Sequence, residues 1–305
     1  MASILILLIV AGCAVFQFLK GSITRGVATI IIALVASFLA FGYYELLAGF
    51  LSGYVASVGA WAQLICFLFL FIIGFALMQT GIVFILHDPI DLGDLAEKIG
   101  RPICGVILGL IISGVVVTAV SLAPIPAKYP YARFDARNPD VDKPKKVLLN
   151  TDGMVTGLFS TVSKGSFKAI SKPRSFGTLH ASFLDQLFLN RLGIDKDVSA
   201  QAKPGTVVIE MPRKAAAWIA PDNLENLAGE ALPDKAGHQA MIVRMGLKRK
   251  ALTSDAGTFT LSQVRAICKP RDQLADALDG NGTAIYPLGY MYNATQVDVK
   301  RLGDK

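Results

Sequence analysis

The stretch that most constrains this chain is residues 16–42, FQFLKGSITRGVATIIIALVASFLAFG. One apolar run ends at Leu19, a short break carries Lys20, Gly21, Ser22, Thr24 and Arg25, and a second apolar run starts at once. A soluble fold has no use for two such runs back to back. A helical hairpin in a membrane does, with its turn held at the lipid surface by the two cations. Composition agrees: apolar residues make up 53% of the chain and charged ones 17%. The mean hydropathy of +0.50 is high for a soluble protein. Charge is unevenly placed. Up to Ala123, Lys20, Arg25, Lys98 and Arg101 stand against Glu45, Asp88, Asp91, Asp94 and Glu97, a net −1, so the total of +7 leaves +8 on residues 124–305. The chain reads as an apolar membrane half and a basic soluble half.

Four apolar runs predict transmembrane helices over about 2–19, 26–42, 60–86 and 103–122. The first has no cation ahead of it and reads as a retained helix rather than a cleaved signal peptide. Val10-Ala11-Gly12-Cys13 is similar to a lipobox, but the apolar run continues through Cys13 to Leu19, so Cys13 reads as a structural cysteine. The second run places Ala33, Ala36 and Ala40 at helical spacing, where small side chains let a neighbouring helix approach. Residues 43–59 hold Tyr43, Tyr44 and Tyr54 together with Gly49, Ser52, Gly53 and Gly59, which predicts a short interfacial segment with Glu45 as a solvated charge. The third run is long enough to tilt, or to kink near Gly74 or Gly81. Its Gln63 and Gln79 read as interhelical hydrogen-bonding groups rather than a polar path.

Residues 87–101, HDPIDLGDLAEKIGR, bring Asp88, Asp91 and Asp94 to a spacing of three. A metal reading is weaker than that of a helix cap before a short surface helix over 92–99. The fourth run carries Gly105, Gly109 and Gly114, a close-packing stripe expected to meet the small residues of the second helix. Lys20, Arg25, Lys98 and Arg101 all fall in the first and third loops, and loops rich in Lys and Arg stay in the cytoplasm. Both termini are therefore expected on the extracytoplasmic side of a bacterial inner membrane.

The motifs Leu19-Lys20-Gly21-x-x-x-Arg25-Gly26 and Gly100-Arg101-x-x-x-Gly105-x-x-x-Gly109, with a long alanine-rich second helix between them, resemble the CvpA family of colicin V production proteins over residues 1–124. The resemblance implies a four-helix inner-membrane unit with a role in toxin production and envelope maintenance. Some relatives append a periplasmic serine protease, but this chain lacks a Gly-x-Ser-Gly-Gly-type nucleophile segment.

Residues 124–146 carry Pro124, Pro126, Pro130, Pro139 and Pro144 and read as an extended tether. The remainder, 147–305, is expected to be an α+β domain with its own core, helical over 150–194 and β-rich over 205–302. Met154, Leu158 and Val162 predict one helix, and Phe183, Leu184, Leu187, Phe188 and Leu192 a second, stopped by Gly193. Strand signals at 206–211, 241–247, 259–261, 283–292 and 296–301, with a turn at 279–282, predict an antiparallel sandwich; 221–228 reads as a short helix before Gly229.

Catalysis has little support. Ser182 lies between His180 and Asp185, but reads better as a helix N-cap, and no Gly-x-Ser-x-Gly elbow is present. No His/Cys spacing suits zinc, so no metal, cofactor or enzymatic activity is expected. His238 stands apart from these residues, Lys248-Arg249-Lys250 reads as a solvated face, and Cys268 is the one cysteine outside the apolar runs. The expected partners are the lipid bilayer, a second copy of the chain, and envelope proteins or anionic envelope polymers, not nucleic acid. A second reading is an oligomeric channel lined by Gln17, Gln63 and Gln79.

Overall fold

An apolar run in an apolar setting satisfies its backbone N–H and C=O groups only by forming a helix or closing a sheet. In the computed structural model each of the four runs is helical: α1 (Ala2–Lys20), α2 (Ile23–Tyr54), α3 (Ala62–Ile85) and α4 (Asp94–Leu122). All four are long and apolar enough to span a membrane. The structure describes residues 1–55, 58–85, 93–136, 138–164, 175–194, 207–208, 216–232, 239–247, 260–269 and 282–304.

Two helices are longer than the sequence predicts. Residues 43–54 do not form a separate interfacial segment but continue α2, through Gly49, Ser52 and Gly53. The reason is tertiary: Ala48, with Leu47 and Leu51, packs on Ala62 and Cys66 of α3, and this burial outweighs the poor propensity of glycine. Likewise 94–101 is no surface helix of its own but the start of α4, which runs through Pro102 without a break. Glu97 anchors this first part. Its carboxylate accepts from Ile23 N at 3.2 Å at the N-terminus of α2 and pairs with Arg101 at 2.7 Å. Asp88 and Asp91 lie outside the described residues, and α3 runs unbroken through Gly74 and Gly81.

The glycine stripe meets a different neighbour from the one expected. A Cβ on Gly105 would lie 2.6 Å from Ala14 Cα, and one on Gly109 would lie 2.6 Å from Val10 Cα, so the partner is α1 rather than α2. Ala33, Ala36 and Ala40 are fully buried in the main core, where Gly74 of α3 comes close to Ala36. Gly109→Leu should therefore lower the melting temperature of the detergent-solubilised protein, since overpacking costs about 1–3 kcal/mol. Leu110→Ile, at a half-buried neighbour, should leave it nearly unchanged. Equal tolerance of both would show that α1 and α4 do not meet at Gly109.

Beyond α4 come α5 (Thr151–Val162), α6 (Phe176–Leu179) and α7 (Phe183–Leu189). Much of their apolar surface joins the core of the long helices. Val155, Phe159, Phe176, Phe183, Leu184 and Leu187 share one cluster with Ala36, Phe41, Phe67, Leu108 and Val115. The buried face of α5 also differs from the predicted one. Val155 and Phe159 point inward, while Met154 and Leu158 are 42% and 40% exposed.

The C-terminal part carries nine short strands among the described residues: β1 (Val207–Val208), β2 (Ala217–Ile219), β3 (Glu225–Asn226), β4 (Met241–Val243), β5 (Gly246–Leu247), β6 (Ala266–Cys268), β7 (Thr283–Ile285), β8 (Gly289–Met291) and β9 (Gln296–Val299). The pairs β1–β5, β2–β4, β6–β7 and β8–β9 are antiparallel, and β3 joins β9 in parallel. Ala220, Leu224 and Val297 share a core with Ile242 and Met291, which brings the β2–β4 and β3–β9–β8 sheets together.

Two local expectations change here. Residues 221–228 form no helix. Asn226 Oδ1 accepts from Ala228 N and Glu230 N, and Gly229 takes a positive φ of 79° to close the turn. The run 283–292 splits into β7 and β8 around Pro287, which has no N–H to give a ladder. Most of 206–211, Phe259 and the turn residues 279–281 lie outside the described residues.

Candidate functional site: a polar and aromatic cap on the helices

α2 has 32 residues, about 48 Å of helix, against a hydrocarbon thickness of roughly 30 Å. Its later turns carry Phe41, Tyr44 and Glu45, and the cap docks there. Phe41 stacks on Phe159 of α5 with centroids 5.2 Å apart, and meets Phe67, Phe176 and Phe183 at 5.0, 5.9 and 6.0 Å. Phe159 and Phe176 lie 4.9 Å apart, edge to face. Such pairs contribute about 0.5–1.5 kcal/mol each beyond area burial. The aromatic cluster is thus the main adhesive between α2 and α5–α7.

Glu45 stands beside this cluster, its side chain 48% exposed as the sequence predicts, and is also tied to the cap. Its Oε2 lies 3.3 Å from His180 Nε2, an ion pair when the imidazole is protonated, and its Oε1 accepts from the Tyr44 hydroxyl at 3.0 Å. His180 Nδ1 faces Gln186 Oε1 at 3.2 Å. Asp185 is turned elsewhere, onto Arg133, and Ser182 sits at φ 54° with no capping hydrogen bond from its side chain. His180, Ser182 and Asp185 are therefore not assembled as a catalytic triad. His238 and Lys248-Arg249-Lys250 lie outside the described residues, and no cluster of three or more His, Cys, Asp or Glu occurs among those described.

A second knot binds the proline-rich segment. Arg133, 8% exposed, donates from Nε to Asp185 Oδ1 at 2.5 Å, and from Nη1 to the Tyr131 hydroxyl at 3.1 Å and the Lys145 carbonyl at 3.3 Å. The Tyr131 hydroxyl donates in turn to Asp152 Oδ2 at 2.6 Å, and the fully buried Asp152 also accepts from Gly153 N. Burial, then the Asp152 carboxylate, pushes the Tyr131 phenol well above its ordinary value. Burial by itself lowers Arg133, but Asp185 and Tyr131 outweigh it and leave the guanidinium above its usual value.

Arg191 donates to the carbonyls of Leu187, Ile125 and Tyr129 at 3.0–3.2 Å and lies over the Phe188 ring. With no carboxylate beside it, burial pulls it down to about 10. Residues 124–136 and 138–146, though free of helix and strand, are thus held by two buried arginines, and Phe134 packs on Phe188 and Leu189.

Set against protein-family models, curated proteins and solved structures, the chain matches none.

The four cations singled out from the sequence gather at the other end of the bundle. Lys20 closes α1, Arg25 lies in the first turn of α2, and Lys98 and Arg101 lie in the first turns of α4. The glutamines lie at different heights along the bundle. Gln17 is buried at this end and donates to the Ser22 carbonyl at 2.9 Å; Gln79 lies near Thr29 at 3.5 Å; Gln63 belongs to the opposite end of α3. Sequence reasoning misses Glu97, Arg133, Asp152 and Arg191. Each resembles a solvated charge until its distant partner is known. The one local signal is Asp152 in the first turn of α5.

Proposed function

We propose that this chain is a multi-pass membrane protein of the CvpA, colicin V production, type. It carries a basic α+β binding domain on the extracytoplasmic side of a bacterial inner membrane, and it acts without catalysis in envelope maintenance or toxin production. The observation that carries this reading is segregation along the bundle. Lys20, Arg25, Lys98 and Arg101 lie at one end, and the cap that begins the +8 part of the chain docks toward the other. The positive-inside rule turns that polarity into an orientation. The ordered Lys20-Gly21 and Gly100-Arg101-x-x-x-Gly105-x-x-x-Gly109 motifs support the family assignment. A net +8 suits anionic envelope polymers, through a field that salt screens over about 8–10 Å.

Orientation is tested with fusions after Lys305. A phosphatase active only outside the cytoplasm should be active, and a fluorescent protein that folds only inside should be dark. Cys268, partly exposed in β6, should also react with a membrane-impermeant maleimide. The opposite pattern would reverse the assignment. The binding role is tested by sedimenting the full-length detergent-solubilised protein with purified cell-wall polymer. Retention at low salt and release at high salt is expected. No retention would remove the binding reading while leaving the topology intact.

A further inference from the structure

We propose that residues 147–162 form a re-entrant membrane segment, which dips into the bilayer at the end of the bundle opposite the four cations and presents Leu148, Leu149, Met154 and Leu158 to acyl chains. The inference rests on the membrane reading above but not on its orientation.

Depth is the first support. Val147 packs on Val117 of α4 and on Ala2 and Ile6 of α1. Thr151 and Val155 press on Gly114. Gly114 lies eight residues before the end of α4, about 12 Å along the helix axis. A segment docked there lies beside the apolar band of α4, not above it.

The character of its outer face is the second support. α5 buries Val155 and Phe159 against α4 and α2, and its exposed positions are Met154, Gly157 and Leu158, with Thr161 as the one polar residue among them. In water an exposed helix keeps a polar face; an outward face this poor in polar groups suits a core or a membrane. The turn before it holds Leu149 at φ 55° and 68% exposed, a left-handed leucine aimed away from the protein.

Scarcity of charge is the third. Between 147 and 162 the one charged side chain is Asp152, fully buried and bonded to Tyr131. The Thr156 and Thr161 hydroxyls donate back to the carbonyls of Asp152 and Gly157, while the buried Thr151 hydroxyl finds no partner among the described residues. Exposed Lys145 and Lys146 stand immediately before the segment, placed for headgroup phosphates.

The test uses the full-length wild-type chain in vesicles of phosphatidylethanolamine and phosphatidylglycerol, with a diazirine on the acyl chain of a tracer phospholipid. After irradiation, adducts are mapped by mass spectrometry. Adducts on Leu148, Leu149, Met154 and Leu158 are expected at yields comparable with Leu77 and Val83 on the exposed face of α3, with none on exposed Ile219 of β2. Labelling of α3 without 148–158 would mean that water or protein covers this face, and would overturn the proposal while the membrane reading stands. Equal labelling of Ile219 would also overturn it, because adducts would then not report the bilayer. No labelling of α3 would sink the membrane reading itself, and the re-entrant segment with it.

Discussion

Gly114→Leu is expected to loosen the cap from the four helices. A Cβ at Gly114 would overlap the Thr151 carbonyl oxygen and lie 2.7 Å from Val155 Cγ2. The first of these is backbone and cannot rotate away, so α5 itself must shift. Overpacking of this kind costs about 1–3 kcal/mol, and a backbone obstacle puts this site at the upper end. The shift also pulls Phe159 from its stack on Phe41, so the aromatic cluster loses contacts as well. The melting temperature should fall, and amide hydrogen exchange should rise across 151–162 but not across α1. A Cβ on Gly157, in the same helix, would meet no neighbouring atom within 4 Å, so Gly157→Ala should be neutral or gain up to about 1 kcal/mol of helix propensity. An equal loss at both glycines would mean that α5 does not dock through Gly114.

Arg133→Met should have a comparable or larger effect by a different route. It removes the cation that Asp185 and the Tyr131–Asp152 pair share, and leaves carboxylates buried without it. Removing one partner of a buried ion pair costs about 3–5 kcal/mol, mostly as the penalty of the charge left behind. Proteolysis within 124–146 should accelerate together with the fall in melting temperature. Asp185→Leu in the same chain should recover part of the loss, because the carboxylate at that site is then gone too. Arg244→Met, where an exposed guanidinium lies 5.5 Å from the Trp218 ring centroid, should cost no more than about 1 kcal/mol. If Arg133→Met and Arg244→Met behave alike, the knot does not hold the proline-rich segment.

These sites differ in how far the sequence announces them. Gly114 is visible as part of a small-residue stripe, but its partner is not: the stripe divides, with Gly105 and Gly109 on α1 and Gly114 on α5. Arg133 gives no signal, because its partners beyond nearby Tyr131 lie 12 and 52 residues away at Lys145 and Asp185. Glu45 reads as a solvated interfacial charge, and its contact with His180 spans 135 positions of chain.

By itself the sequence determined that four apolar runs become four long helices and that strands follow in the C-terminal part. Hydropathy and breaker residues act locally, and a backbone that cannot reach water must close its own hydrogen bonds wherever it lies. Only the tertiary structure decided how far α2 and α4 extend, which helix receives the glycines, and which face of α5 is buried. On a soluble helix the polar side marks the outside, so periodicity identifies the core. On α5 the outward residues, Met154 and Leu158, are as apolar as the inward ones, Val155 and Phe159, and the pattern loses its sense of inside and outside. There the choice passes to shape: a glycine on α4 that lets a backbone come close, and Phe41 of α2, on which Phe159 stacks.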